Sequence, residues 1–245
     1  MAGGADRRRA RSPGIGASFR AAATDFYYQS IRLVPANLFW GLSFLAWLVI
    51  SVSTGPLVTL VLAPLLAIPY VGVVRLAALT ARGHDVVLSD VVDAIRRFGL
   101  VALVSGALAV LAVVVLASDA FLGANLGGPI GWVLSTLGLM GLFALWVFGV
   151  PYWVLLVDPN REDRPVRGRV RLAALLVVAA PGRLAWLAVL LALLLLVSTV
   201  AFVALLTIAP AYAALVAARF VLPLGDRLES WLEERDSRGR GRATS

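Results

Sequence analysis

The chain of 245 residues has no cysteine and no lysine, a single histidine, His84, and charge at only 15% of its positions. Without cysteine there are no disulfides, no thiolate metal ligands and no cysteine nucleophile. One histidine cannot build a histidine-rich metal set, and the patterns H-E-x-x-H, G-x-S-x-G and G-x-x-x-x-G-K-[ST] do not occur. His84 stands in Arg82-Gly-His-Asp85 without convergent partners and reads as a solvated loop residue. The expectation is therefore a protein that is not an enzyme and carries no cofactor or metal.

What the chain has instead is apolar sequence. Hydrophobic residues make up 60% of it, against about 45–50% in an ordinary soluble domain. The stretches 33–74, 98–118, 120–157 and 184–218 contain no Asp, Glu, Arg or Lys. A bilayer core of about 30 Å is crossed by roughly 20 helical residues, so each of these can hold at least one span. The first is long enough for two. Ser51-Val-Ser-Thr-Gly-Pro56 supplies the turn, which places spans at about Ala36 to Ser53 and Pro56 to Leu76. Gly99 to Ala117 forms a third, Asp119 to Gly128 reads as a Gly-rich loop, and Pro129 to Val157 forms a long fourth span bent at Pro151. Leu184 to Leu224 divides near Thr207-Ile-Ala-Pro210 into a fifth and a short sixth containing Arg219, which needs local thinning of the bilayer, an earlier start, or a snorkelling Arg219. The alternative keeps 184–224 as one kinked helix and gives five spans. The fold class is an all-α, polytopic transmembrane helical bundle of about six spans, with short amphipathic cytoplasmic helices.

The net charge of +8 would by itself suggest nucleic acid. Its distribution points elsewhere. All 22 arginines fall before the first span, between the second and third, between the fourth and fifth, or at the C-terminal end, and the opposite connections carry only Asp119. Arginine is retained on the cytoplasmic side, so both termini are predicted to be cytoplasmic and no nucleic-acid partner is expected. The partner that the composition does require is the lipid bilayer. Trp40, Tyr70, Tyr152, Trp153 and Trp186 fall near the predicted cytoplasmic span ends, Trp132 and Tyr212 near the outer ends, and Trp47 and Trp146 deeper, as packing residues.

Three regions follow: a basic arm without structure at 1–22, a transmembrane domain at 23–225, and a cytoplasmic tail at 226–245. Thr24 is an N-cap candidate for an interfacial helix leading into the first span. Ser89 is another, opening a cytoplasmic helix with Asp90 and Asp93 in its first turn, Arg96 and Arg97 near its end, and an apolar stripe of Val91, Ile95 and Phe98. Arg-rich 161–171 leads into a comparable element that Pro181-Gly182 stops. In the tail, Leu228, Trp231 and Leu232 have helical spacing, so this segment either extends the last span or lies on the surface, and beyond Arg235 the composition indicates disorder.

The predicted spans contain no Asp, Glu or His, which argues against proton-coupled transport. Asn37, Ser43, Thr59, Ser105, Ser135, Thr136, Tyr152 and Ser198 could contact a neutral solute, or could bond to helix backbone. Ala102 and Gly106 on span three, and Gly131, Ser135 and Gly138 on span four, have the spacing that lets helices approach closely.

The residues Asn37-Leu-Phe-Trp40 at the opening of the first span, Thr54-Gly55-Pro56 at the outer turn, Arg75-Leu-Ala-Ala-Leu-Thr-Ala-Arg-Gly83 leaving the second span, and Ser89-Asp90 followed by Arg96-Arg97-Phe98 together carry a resemblance. The first half of the chain resembles the YesL-like family of small bacterial integral membrane proteins. The family differs in having aromatics where this chain has Val91 and Val92. The resemblance implies a bacterial cell membrane location and an accessory or regulatory role beside a carbohydrate ABC importer. It also implies contact with a membrane transporter or signalling protein, with Asn37, Trp40, Gly55, Pro56, Arg75, Asp90, Arg96 and Arg97 as candidate contact or structural residues. The alternative is a small facilitator or channel for a neutral solute.

Overall fold

The computed structural model describes residues 14–243, with side chains as far as Arg235. Among these the chain is helical throughout: α1 (Ile15–Thr54), α2 (Pro56–Leu62), α3 (Ala67–Arg82), α4 (Ser89–Leu126), α5 (Gly128–Leu156), α6 (Val166–Ala179), α7 (Pro181–Val200), α8 (Phe202–Thr207) and α9 (Ala209–Ala243). Two 3₁₀ turns, Ala63–Leu66 and Pro159–Arg161, interrupt it. Five helical stretches are long and apolar enough to cross a membrane: Ile15–Thr54, Pro56–Arg82, Ser89–Leu126, Gly128–Leu156 and Pro181–Val200.

The prolines act where the sequence expects them. Pro56 and Pro181 stand at the first position of their helices, where a missing N–H costs nothing. Pro64 lies in the 3₁₀ turn that divides the second span into α2 and α3. Gly55, at φ 92°, makes the turn between α1 and α2, a conformation that few other residues adopt readily. Gly83 ends α3: its N–H donates to the Thr80 carbonyl, and that of His84 to Leu79, both at 3.0 Å.

The turn between α4 and α5 is shorter than expected. Residues 119–126, read as a Gly-rich loop, are helical, and Gly127 alone links the two helices. Gly123 does not loosen the chain but lets the helices touch, since a Cβ there would sit 2.5 Å from the Ser135 nitrogen and 2.6 Å from the Gly131 oxygen. Gly138 is equally tight, with Leu116 O and Ala120 N at 2.6 and 2.7 Å from a would-be Cβ. Gly149 has open space around it. Gly138→Ala is therefore expected to destabilise the bundle by roughly 1–3 kcal/mol, the usual cost of overpacking. Gly149→Ala should be neutral or slightly stabilising, because alanine is the better helix former. Thermal unfolding of the two variants in detergent checks the contrast, and equal effects would contradict it.

At the centre lie α3 and the first half of α9. Val71, Val73, Val74, Leu76 and Ala77 are buried on the one, and Leu215, Val216, Ala218, Val221 and Leu222 on the other. Burial on every side of α9 means that protein surrounds it, and α1, α3, α5 and α7 all pack against it. Elsewhere apolar side chains face outward in stripes. Leu100, Val104, Leu108, Leu111 and Val115 run along one face of α4, and Leu193, Leu196, Val197 and Val200 along α7, all exposed. Continuous apolar surface of this kind belongs against lipid.

Several expectations are corrected. Residues 15–22, placed in an unstructured arm, begin α1, and Thr24 is no cap but lies within the helix, its hydroxyl donating to the Arg20 carbonyl. The arm at 1–13 lies outside the described residues. The Ser89–Phe98 segment is not a separate surface helix but the first turns of α4. Ser89 does not cap it; the Asp90 carboxylate accepts from the Val87 N–H at 2.9 Å. α9 runs through 225/226, so the tail extends the last helix, one of its two expected arrangements, and it continues to Ala243, beyond the expected order limit at Arg235.

The sixth passage differs most. The chain turns at Ala201, and the expected break near Pro210 falls at Ile208, where Asn37 of α1 bridges it. Tyr212 packs edge-on against Phe19 and Phe26 rather than at an outer surface. The Arg219 guanidinium donates to Asp25 of α1 at 2.6 Å.

Candidate functional site

The connections that carry arginine converge at one end of the bundle. α5 stops at Leu156, and Asp158 caps the following 3₁₀ turn by accepting from the Asn160 N–H at 3.2 Å. Asp158 is wholly buried. Its carboxylate accepts from Arg82, at 3.1 Å from Nε and 2.8 Å from Nη2, and from the nearly buried Arg161. Arg82 reaches on to Asp226 of α9 at 2.6 and 3.0 Å. Arg161 binds Asp226 and Glu229 of α9, each at 2.7 Å, and Arg164 completes the group on Glu229. Three guanidiniums thus meet three carboxylates, and α3, the α5–α6 connection and α9 are tied together with no net charge left over.

Burial alone would lower the affinity of Arg161 for its proton, but hydrogen bonds and attraction from Glu229, Asp158 and Asp226 outweigh it and push its pKa up. Burial likewise favours protonated Asp226, yet Arg82 and Arg161 hold its carboxyl below the ordinary carboxylate value. A depressed carboxyl stabilises the fold above its unfolded pKa, and that contribution is lost as pH falls through the folded value. The difference in unfolding temperature between the native protein and Asp226→Asn should accordingly be largest near neutrality and shrink in the acid range below about pH 4. Measured in detergent across pH 3–7, a difference independent of pH would contradict this assignment.

A second cluster adjoins the first. Glu162 accepts from both Arg75 of α3 and Arg97 of α4, while Arg75 also donates to the Val157 carbonyl at 2.7 Å. Arg169 of α6 is 4% exposed and donates to main-chain carbonyls: Leu156, Glu162 at 2.9 Å, and Arg164 at 3.0 Å. It thereby satisfies the C-terminal end of α5, where helix carbonyls lack partners and the dipole is negative. Its guanidinium lies 5.4 Å from the Phe98 ring centre, and Arg97 lies 5.5 Å from the same ring. Burial, reinforced by the charge of Arg97, pushes the pKa of Arg169 down.

Of the residues singled out from sequence, the structure brings Arg75 and Arg97 together on Glu162. Asp90, in the first turn of α4, accepts from the N–H of Val87 in the preceding loop, and Arg96 is exposed without an ion pair among the described residues. Asn37 and Trp40 lie elsewhere on α1. Asn37 is fully buried and bridges the α8–α9 break, donating to Leu206 O and accepting from Ala211 N, both at 2.9 Å. Trp40 stacks on Phe44 at 5.4 Å. Gly55 and Pro56 shape the α1–α2 turn.

Sequence reasoning missed Arg82, Asp158, Arg161, Glu162, Arg164, Arg169, Asp226 and Glu229 as a site. Their signal was present, since the same segments that concentrate arginine also hold nearly all the carboxylates. The chain matches no family model, no curated protein and no solved structure with which it was compared.

Proposed function

We propose that the chain is a non-enzymatic bacterial cell-membrane protein, with both termini cytoplasmic, that presents a rigid arginine-rich platform to a membrane partner. One observation carries the reading: Asp158, Glu162, Asp226 and Glu229 are each held by guanidiniums, while Arg96, Arg167 and Arg171 remain exposed without an ion pair among the described residues. Carboxylates so engaged are poor general bases, whereas unpaired surface arginines suit recognition of an acidic protein surface. The resemblance to YesL-like proteins makes a carbohydrate ABC uptake system the partner to test, with this chain as an accessory or regulatory subunit.

Purification in mild detergent should then recover a specific transporter component, and Arg167→Glu with Arg171→Glu should release it. Recovery of the bare protein, under conditions that preserve known importer complexes, would count against the proposal.

The facilitator reading has less support. Its candidate polar groups are spent within the bundle: Ser43 on Phe39 O, Thr59 on Gly55 O, Ser135 on Ala120 O, Thr136 on Trp132 O, Ser198 on Leu194 O, and Ser105 with Tyr152. Liposomes containing the protein are expected to pass neutral sugars no faster than empty ones.

A further inference from the structure

A groove of about 430 Å³ runs between the first half of α1 and the α8–α9 break. Ala23, Phe26, Tyr27 and Ser30, which share a helical face at i, i+3, i+4 and i+7, form one wall, and Ile208 and Tyr212 form the other. The walls meet where Phe26 packs edge-on against Tyr212, with ring centres 6.0 Å apart. The hydroxyls of Ser30 and Tyr212 are spent on main-chain carbonyls, that of Ser30 on Tyr27 at 3.0 Å and that of Tyr212 on Phe19 at 3.1 Å. What these walls offer an occupant is mainly hydrocarbon surface.

Charge marks the level at which the groove lies. Asp25 of α1 pairs with Arg219 of α9, and Arg32 turns back toward the start of its helix to donate to Gln29 at 3.0 Å. That is the direction in which a cation at the edge of hydrocarbon reaches for water. From residue 33 to residue 74 the chain carries no charge at all. Tyr27 and Tyr28 are 76% and 75% exposed, and such amphipathic rings are enriched at headgroup level. Ile31, Leu38 and Phe39 further along α1 are exposed as well, so the mouth continues onto the apolar surface of the span Ile15–Thr54. At the opposite end, three residues before Ala23 and on the same face, stands the exposed Arg20.

We infer that this groove holds an acyl chain of a phospholipid from the adjoining leaflet, with the lipid phosphate beside Arg20. Apolar walls, an opening toward the bilayer and a cation one turn beyond the groove follow the order of parts in that molecule. A peptide would bring main-chain N–H and C=O groups against helices whose own backbone is already bonded, at a desolvation cost that an acyl chain does not incur. Only the choice of leaflet rests on the proposed orientation. The site is independent of the partner platform, which uses Arg96, Arg167 and Arg171.

Native mass spectrometry of the full chain, released from mixed vesicles of phosphatidylglycerol and phosphatidylcholine, tests it. The native protein should retain a phospholipid. Excluding even two methylenes from an apolar site costs about tenfold in affinity, so Ala23→Trp, which fills the groove, should reduce retention by about that factor or more. Ala17→Trp adds the same bulk at an exposed position of α1 outside the groove and should leave retention intact. Arg20→Gln should keep the lipid but lower the preference for phosphatidylglycerol about fivefold, the contribution of one guanidinium near an anionic surface. Arg235→Gln, remote from the groove, should not change that preference. No retained lipid, or equal effects of the two tryptophan variants or of the two glutamine variants, would overturn the proposal. Replacing Tyr27 with photoreactive benzoylphenylalanine in the native membrane gives a second reading that leaves the groove unfilled. A lipid adduct supports the assignment, and a crosslink to a second copy or another protein contradicts it.

Discussion

Asp158→Ala should destabilise the protein by about 3–5 kcal/mol, the cost of leaving a buried charge without its partner. Asp158 is wholly buried and Arg161 is 2% exposed, so water cannot readily replace the carboxylate that Arg161 loses. Arg82 and Arg161 would keep Asp226 and Glu229, but two carboxylates would then face three guanidiniums, counting Arg164. Asp158→Asn keeps an acceptor without the charge and should fall between. Asp85→Ala, at an exposed position, should stay within roughly 0.5 kcal/mol of the native protein. Chemical unfolding in detergent gives all three values; a loss below about 1 kcal/mol in Asp158→Ala would show that the network contributes little.

The second large effect is expected at Asn37→Leu. This side chain works as a cap supplied from another helix. Its oxygen takes the Ala211 N–H in the first turn of α9, and its amide donates to Leu206 O at the end of α8. Leucine is close in size but leaves both backbone groups unmatched, at about 1–3 kcal/mol each. Asn37→Asp keeps only the acceptor and should be intermediate. Ser43→Ala removes a hydroxyl that bonds its own helix and should have little effect. Unfolding temperature and protease cleavage between Ala201 and Ile208 report the loss; an unchanged cleavage rate in Asn37→Leu would contradict the bridging role. The same break explains Gly41, where a Cβ would lie 2.4 Å from the Leu206 oxygen.

The helical spans were legible because charge-free runs and helix-starting prolines are local signals, as Pro56 and Pro181 illustrate. Gly123 was not, because glycine reads equally as a loop former or as a point of close contact, and only the approach of α5 decides between them. The pairing of Asn37 with Ala211 spans 174 positions and leaves no local trace. Residues 15–22 looked unstructured by composition, yet the Phe19 carbonyl accepts from the Tyr212 hydroxyl at 3.1 Å, which docks the start of α1 on α9.

The charged end was half read. Counting arginines located the segments that converge there, but reading them as orientation marks and partner contacts passed over Asp158, Glu162, Asp226 and Glu229 beside them. Whether such carboxylates pair depends on which helix ends meet, and that is a property of the packed bundle.

The central claim is that the arginine-bearing connections and the α9 extension gather on one side of the membrane, the side proposed to be cytoplasmic. A chain without cysteine allows a direct test. Single substitutions Asp85→Cys, Asp163→Cys and Arg235→Cys, with Thr54→Cys and Asn125→Cys, place thiols at exposed positions. An impermeant maleimide should label the first three in inside-out vesicles only, and the last two in right-side-out vesicles only. Labelling of Arg235→Cys from the same side as Asn125→Cys would contradict the account.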